Sequence, residues 1–379
     1  MPDFSHTHAL FPIKDNLVYL NNASIGALST RVTAAVNELL NDVQQQGRIN
    51  YPNWCRIADT TFKANIARLI GAGADEIAFV KNTTEGILIV ANGLDWRPGD
   101  NVIIAEQEYA SNVYCWMNLA RRGVEINWVP LDGGRVTPEA IAAAITPRTR
   151  LVSLSAVQFW NGFRADLTAI GQLCRRHGVL LNLDAIQWVG ALDLDVSQYE
   201  IDFLSAGSHK WQLGPIGTGF FYCRRGSLET IWPQNVGYHS VDKSEDHLDY
   251  DFRLRPNAGR FEEALVNFPG LWGLNAAVEQ LLELGTANVE RHIMALNDQA
   301  IAGLRTLGYD IVSPLGAGER SGVLAFRHPD LPVAELEQRL SDAGVHLAIR
   351  AGNLRISPSF YNDSGEIERL LAALPSARG

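Results

Sequence analysis

The chain has 379 residues, 46% of them hydrophobic, so it can bury a large core and is long enough for two domains. Its 42 acidic against 32 basic residues give a net charge of −10 with no basic block, which argues against nonspecific nucleic-acid binding. Four cysteines, at 55, 115, 174 and 223, show neither CxxC pairing nor metal-ligand spacing. Reduced thiols and no metal site are therefore expected. The opening Met1-Pro2-Asp3-Phe4-Ser5-His6 lacks a basic start followed by an apolar run, and no apolar segment approaches about 18 residues. A soluble cytoplasmic protein without membrane contact is the expectation.

In chain order, residues 1–15 read as an irregular arm, and Leu17-Val18-Tyr19-Leu20 as a short strand that opens into the polar loop Asn21-Asn22-Ala23-Ser24-Ile25-Gly26. From Ser29, a good N-cap, apolar residues at helical spacing run to a stop at Gly47. Ile77–Val80 reads as a strand, and Thr83 or Thr84 as the cap of the helix beginning at Glu85. Strand, short polar loop and helix N-terminus form an anion site through free N–H groups, hydroxyls and the helix dipole, although threonine also caps helices that bind nothing. Asn101–Ala105 is a strand, followed by Glu106–Asn112. Tyr109 in that loop has a flat π-face suited to stacking on a ring, or is an ordinary aromatic. Strand and helix patterns continue in alternation, with Gln158–Arg164 a loop at a strand end and Asp166 capping the next helix.

Two stretches carry chemistry. Val179-Leu180-Leu181-Asn182-Leu183-Asp184 is an apolar run ending in an acid, as a buried parallel strand does where its C-terminal end opens into a crevice. Phe203–Ala206 is a second buried strand, and Gly207-Ser208-His209-Lys210 opens it into a small-residue loop that presents one lysine. Taken alone, that lysine is equally a surface residue on a turn. Partial desolvation would instead lower its pKa and make it a Schiff-base nucleophile. A lysine and an acid on neighbouring strand ends suit pyridoxal 5′-phosphate (PLP), the amine holding the aldehyde and the carboxylate keeping the pyridine nitrogen protonated. Alternation from about 77 to 223 implies an α/β fold with a mostly parallel sheet flanked by helices, its site at the strand C-termini. Residues 235–251 are polar and aperiodic, an active-site or interface loop. The remainder reads as a small α+β domain, giving a large domain over 16–270 and a small one over 271–379 with the arm 1–15 packed on it.

Taken together, Asn82-Thr83-Thr84-Glu85, Asp184-x-x-Gln187, Ser208-His209-Lys210, Arg260-Phe261-Glu262 and Arg355-Ile356-Ser357-Pro358 resemble the class V aminotransferases, from about Tyr19 to about Leu374. The resemblance implies an aspartate aminotransferase-like fold with PLP on Lys210, and Asp184 at the ring nitrogen. It implies that Gln187 donates to the ring hydroxyl, that Tyr109 stacks on the ring, and that Thr83, Thr84, Gly207, Ser208 and His209 surround the phosphate; His209 could instead pack on the ring edge. Arg355, with Arg350 and Asn22, would hold an amino-acid substrate by its carboxylate. Ala264-Leu265 replaces the Gly-Thr or Gly-Ser whose hydroxyl in relatives reaches the partner subunit's phosphate, while Asn267 matches. A homodimer with its site at the interface is expected. Desulfurases of the family carry a nucleophilic cysteine shortly before the anchor arginine, and Ala343–Arg355 contains none. The reading ranks an aminotransferase first, then a thiol-independent cysteine or selenocysteine-type lyase, then an amino-acid epimerase. The alternative outside enzymology is a PLP-binding regulator or scaffold.

Overall fold

A computed structural model describes residues 2–242, 248 and 250–377. After the arm, β1 (Val18–Tyr19) leads to α1 (Thr30–Gln46), whose first turn is capped by the Ser29 hydroxyl and whose end is Gly47 at φ 58°. Next come α2 (Tyr51–Ile57), α3 (Lys63–Ile70), β2 (Ile77–Val80), α4 (Thr83–Gly93), β3 (Asn101–Ala105), α5 (Tyr114–Met117), β4 (Glu125–Val129) and α6 (Pro138–Ala144). They are followed by β5 (Thr149–Ser155), α7 (Leu167–His177), β6 (Leu180–Asp184), β7 (Phe203–Gly207) and β8 (Gly219–Cys223). The last third contains α8 (Phe268–Leu284), α9 (Thr286–Leu307), β9 (Asp310–Ile311), β10 (Leu324–Arg327), α10 (Val333–Asp342), β11 (Val345–His346), β12 (Ala348–Arg350), β13 (Asn353–Ile356) and α11 (Ser364–Ala373).

Seven strands form one sheet in the order β2-β8-β7-β6-β5-β3-β4, all parallel except β8, which runs antiparallel to both its neighbours. Both faces are buried, because alternate residues of each strand feed different cores. Val152, Leu154, Leu181, Leu183, Leu204 and Ala206 enter one, and Leu151, Phe203, Phe221, Val102 and Ile104 the other. On that second face three central strands change character along their length: Leu151 gives way to Ser153 and Ser155, Leu180 to Asn182 and Asp184, and Phe203 to Ser205 and Gly207. A dry base thus becomes a polar rim at the C-terminal ends, where the site lies. Gly86 lets α4 press onto this rim, since a Cβ there would stand 2.2 Å from Ser205 Oγ.

A four-stranded antiparallel sheet, β12-β13-β10-β9, and the parallel pair β1-β11 make the second unit. The expected division needs two corrections. The arm does not end at residue 15: β1 pairs with Val345–His346 and Asn21 bridges Ser357, so the segment packed on the C-terminal strands runs past residue 20, held by the buried Val18 and Leu20. The boundary at 270/271 falls inside α8, whose Leu271, Leu274, Val278 and Leu281 belong to the large core. Helix α9 spans the junction, with Val289 and Ile293 in the large core and Leu296, Ala300 and Leu304 in the small one. Of the loop expected over 235–251, residues 243–247 and 249 lie outside the described residues.

Candidate active site

Lys210 is 8% exposed and its side chain makes no hydrogen bond or ion pair with any described residue; the ring of Tyr109 lies beside it, 5.5 Å from Nζ to the centroid. Burial, reinforced by Arg355 and Arg350, brings its pKa down to about 8, and Asp184 opposes that shift. Asp184 is buried at the end of β6, its carboxyl pKa raised by desolvation and held back by the Ile186 N–H (3.0 Å) and by Lys210. The ammonium and the carboxylate therefore sense one another without forming an ion pair, leaving a gap between them. The Lys210 backbone is seated by the loop 21–26: Gly26 N–H donates to His209 O at 2.7 Å, and a Cβ on Gly26 would lie 2.1 Å from Lys210 O.

The N-terminus of α4 faces the end of β7. Its cap is Asn82, whose side chain accepts from Glu85 N–H; Thr83 is already inside the first turn, which corrects the sequence-based assignment of Thr83 or Thr84 as the cap. Because the cap is supplied from outside the turn, both threonine hydroxyls are released for other contacts. Thr83 Oγ1 accepts from Gly207 N–H (2.9 Å), and Thr84 Oγ1 donates to Ser111 Oγ (2.8 Å). Ser208 is turned away from this N-terminus: its hydroxyl is fully buried against Pro215 O and Thr218 Oγ1, each at 2.6 Å, so it braces the loop instead of facing an anion. His209 is half-buried, its pKa lowered by burial and by Lys210. Asn267 caps α8 and donates to Gly217 O, holding the same loop from behind.

Gln187 is buried, not a surface residue: Nε2 donates to Ala23 O (3.0 Å) and Oε1 accepts from Trp211 Nε1 (2.7 Å), which leaves one N–H of its amide to give. Asn22 is also committed elsewhere, Nδ2 to Ser357 O and Oδ1 to Tyr361 OH, both at 2.9 Å, so it fixes the loop and is not placed to bind a substrate. The neighbouring Asn21 and Ser24, not singled out in the sequence, take the side of that turn that faces the arginines. Arg350 Nη2 (3.1 Å) and Arg355 Nη2 (2.8 Å) both donate to Ser24 Oγ, and Arg355 Nη1 donates to Phe159 O (2.6 Å). Arg355 is 1% exposed, meets no acidic side chain among the described residues, and keeps a buried Nε without a partner. Burial and Arg350 depress its pKa. Its register partners on either side, Ala348 and Ala325, are both small.

One further acid was not read from the sequence. Glu108 is buried, accepting from Ser155 N–H (2.8 Å) and Gln158 Nε2 (3.0 Å) and contacting Ser155 Oγ. Gln107, at φ 59°, turns the chain so that Glu108 points inward. The Arg260 and Glu262 of the fourth motif are structural: Arg260 pairs with Glu229, and Glu262 accepts from Phe79 N–H and pairs with Lys63. A groove of about 1340 Å³ lies away from Lys210, between α2 and residues 236–241 and 250–255. It lacks the acid-lysine pair and is not the catalytic centre.

A family model described as Aminotransferase class-V matches residues 18–370. A probable cysteine desulfurase of Methanothermobacter thermautotrophicus is 31% identical over 391 aligned positions, which cover 97% of this chain and 96% of the relative. Among solved structures, the protein C-DES bearing glycine covalently linked to its PLP cofactor superposes with a TM-score of 0.90 at 26% identity, covering 98% of both chains. A complex of the cystine C–S lyase C-DES with its product cysteine persulfide gives a TM-score of 0.88, also at 26% identity, over 96% of this chain and 98% of that one.

Proposed function

Since the chain belongs to the class V aminotransferase family, we propose that it is a PLP-dependent carbon–sulfur lyase that removes a β-sulfur substituent from an amino acid without using a protein thiol. This places the lyase alternative ahead of the aminotransferase, because the similar proteins are named for cysteine desulfurase and cystine C–S lyase activities.

The residues present fit the coenzyme: a buried amine and a buried carboxyl separated by a gap, a helix N-terminus with two threonines, and an unpaired buried guanidinium. When bound, PLP supplies an aldehyde that joins amines and a ring that takes up electrons from Cα. Lys210 is the amine that holds the aldehyde, and the same Nζ takes the Cα proton, for which a pKa near 8 suits it at neutral pH. Asp184 keeps the proton on the ring nitrogen, Tyr109 covers the ring face, and Gln187 offers its remaining N–H to the ring hydroxyl. Thr83, Thr84, Gly207, His209 and the first turn of α4 hold the phosphate. Arg355 binds the α-carboxylate bidentately, which satisfies its bare Nε. Arg350, sharing Ser24 with it, is a second cation suited to a substrate with two carboxylates, such as a disulfide-linked amino acid.

The observation that carries the thiol-independent reading is the turn between β12 and β13. Arg350 pairs with Asn353, so Ala351-Gly352 alone close the hairpin, at φ 47° and 74°. A two-residue turn has no room for a thiol-bearing loop before the anchor arginine. Cys115 and Cys174 are buried with thiol pKa values pushed up to about 12, and Cys223 is buried and pushed higher still. The test is to give the PLP-loaded protein cystine and cysteine and quantify pyruvate, ammonia and sulfur products, before and after thiol alkylation. Pyruvate formation that survives alkylation is expected, and Arg355→Ala should raise KM by about 10- to 100-fold. Keto acid with aminated coenzyme, or Cα deuterium exchange alone, would replace this reading with transamination or epimerisation.

A homodimer is part of the proposal. Trp232, Tyr250, Phe252, Leu265 and Ile216 expose large apolar surfaces, several of them along the groove beside α2, as a subunit contact requires. Sedimentation should give twice the 41.7 kDa chain mass.

A further inference from the structure

We propose that Glu108 is a positioning residue that forms a coupled carboxyl pair with Asp184 across Ser155 and thereby sets the protonation of the coenzyme; this rests on the PLP reading above. The geometry is a row across four strands. Ser205, Asp184 and Ser155 are register neighbours on β7, β6 and β5, their side chains on one face, and Glu108, arriving from the end of β3, closes the row by bonding both the N–H and the hydroxyl of Ser155. Paired parallel residues stand about 5 Å apart, so the two carboxyls are separated by little more than one serine.

Glu108 is also the point through which three parts of the site are tied. It precedes Tyr109, whose ring lies beside Lys210, so fixing the carboxylate fixes that ring. It receives the amide of Gln158, and the next residue, Phe159, offers the carbonyl that accepts Arg355 Nη1. Its carboxyl pKa is raised to about 7, first by burial and further by Asp184. The charged group facing it is Asp184, with Lys210 behind. The titratable side chains of the neighbouring α5 are Cys115, a thiol that burial keeps neutral, and the exposed Tyr114. Two like charges this close shift one another's proton affinity, and a negative Glu108 strengthens the hold of Asp184 on the ring-nitrogen proton.

The test compares Glu108→Gln, which keeps shape and hydrogen bonds, with Glu108→Ala. In PLP-loaded protein, Glu108→Gln should move the pH midpoint of the coenzyme absorbance change down by about one unit, a tenfold change in proton affinity, with PLP Kd within about threefold of the parent. Glu108→Ala should add a roughly tenfold weaker PLP Kd as Tyr109 loosens, and Glu108→Asp should recover part of both effects. An unmoved midpoint in Glu108→Gln overturns the proposal. The apoprotein supplies a readout independent of PLP. With a folded pKa near 7, Glu108 binds more protons folded than unfolded between about pH 4.5 and 7, so its carboxyl lowers stability progressively across that window. The thermal midpoint of Glu108→Gln should therefore gain on the parent by a few degrees from pH 5 to pH 8, and gain less in an Asp184→Asn background. Equal gains in the two backgrounds mean no coupling and overturn the pair. Absence of any coloured PLP complex in the parent, with unequal gains, would remove the PLP reading and leave the pair standing.

Discussion

Two lysines of this chain are buried to nearly the same degree and live in opposite circumstances. Lys63, 5% exposed, is pinned between Glu262 at 2.9 Å and Asp59 at 2.8 Å, and these carboxylates outweigh desolvation and raise its pKa. Lys210, 8% exposed, has an aromatic ring where Lys63 has carboxylates, and its pKa falls to about 8. Burial alone does not make a reactive amine; burial without a counterion does. The arginines repeat the contrast: Arg260 is paired with Glu229, whereas Arg355 is left with carbonyl and hydroxyl partners. Structure spends acids on holding cations in place, and the site withholds them.

The contrast is broken most sharply by exchanging the lysines' fates. Lys210→Ala should remove the imine absorbance of the PLP-loaded protein before any amino acid is added and reduce kcat by at least about 10³-fold, with no loss of urea stability. Lys63→Met should do the reverse. It leaves Glu262 buried without a cation, while the exposed Asp59 keeps Arg255, and costs about 3–5 kcal/mol in urea unfolding, with the coenzyme spectrum unaltered. If Lys63→Met instead changed the spectrum at unaltered stability, the distinction between the two lysines would fail.

A smaller effect comes from pH. Lys210 has a folded pKa near 8 against about 10.5 unfolded, so between these values the unfolded chain binds more protons and stability rises with pH. The apo form of Lys210→Met should therefore be more stable than the parent by on the order of 2 kcal/mol at pH 7, an advantage that shrinks towards pH 10.5. Lys63, with its pKa raised, should show no such gain. Smallest is Gly26→Ala, whose Cβ must push against Lys210 O and so displaces the lysine backbone. A loss of about tenfold in kcat with little change in KM is expected, and a pure KM effect would place the strain elsewhere.

Much of this arrangement was legible in the sequence because it is written in short-range pattern. Apolar runs ending in Asp184, and in Gly207 through Lys210, identify strand ends without knowledge of any distant partner. The same holds for the Ser29, Asp166 and Gly47 helix boundaries. Two assignments failed, and one residue was missed, where orientation is decided by tertiary contact. Asn22 and Asn21 are equivalent as text, yet the loop turns one inward to Tyr361 and the other toward Arg355. Ser208 sits in a loop that fits an anion, but Thr218 recruits its hydroxyl. Glu108 stands among polar neighbours, Glu106 and Gln107, that read as a solvated turn. Its burial is set by Ser155 and Gln158, 47 and 50 residues away. The usable hint was its place three residues beyond a fully buried strand and one before Tyr109, the aromatic beside Lys210.

The tip formed by Ala351 and Gly352 has a use beyond the chemistry assigned to it. Both residues are exposed and no backbone ladder crosses the turn, so added residues there need not disturb Arg350 or Arg355 on the flanking strands. Grafting a flexible segment with a central cysteine at that tip would ask whether the proposed thiol-independent chemistry can be turned into one that retains sulfur on the protein's own chain. Capture of sulfur by the graft would mean that the catalytic floor is shared and that the hand-off is a separable appendage.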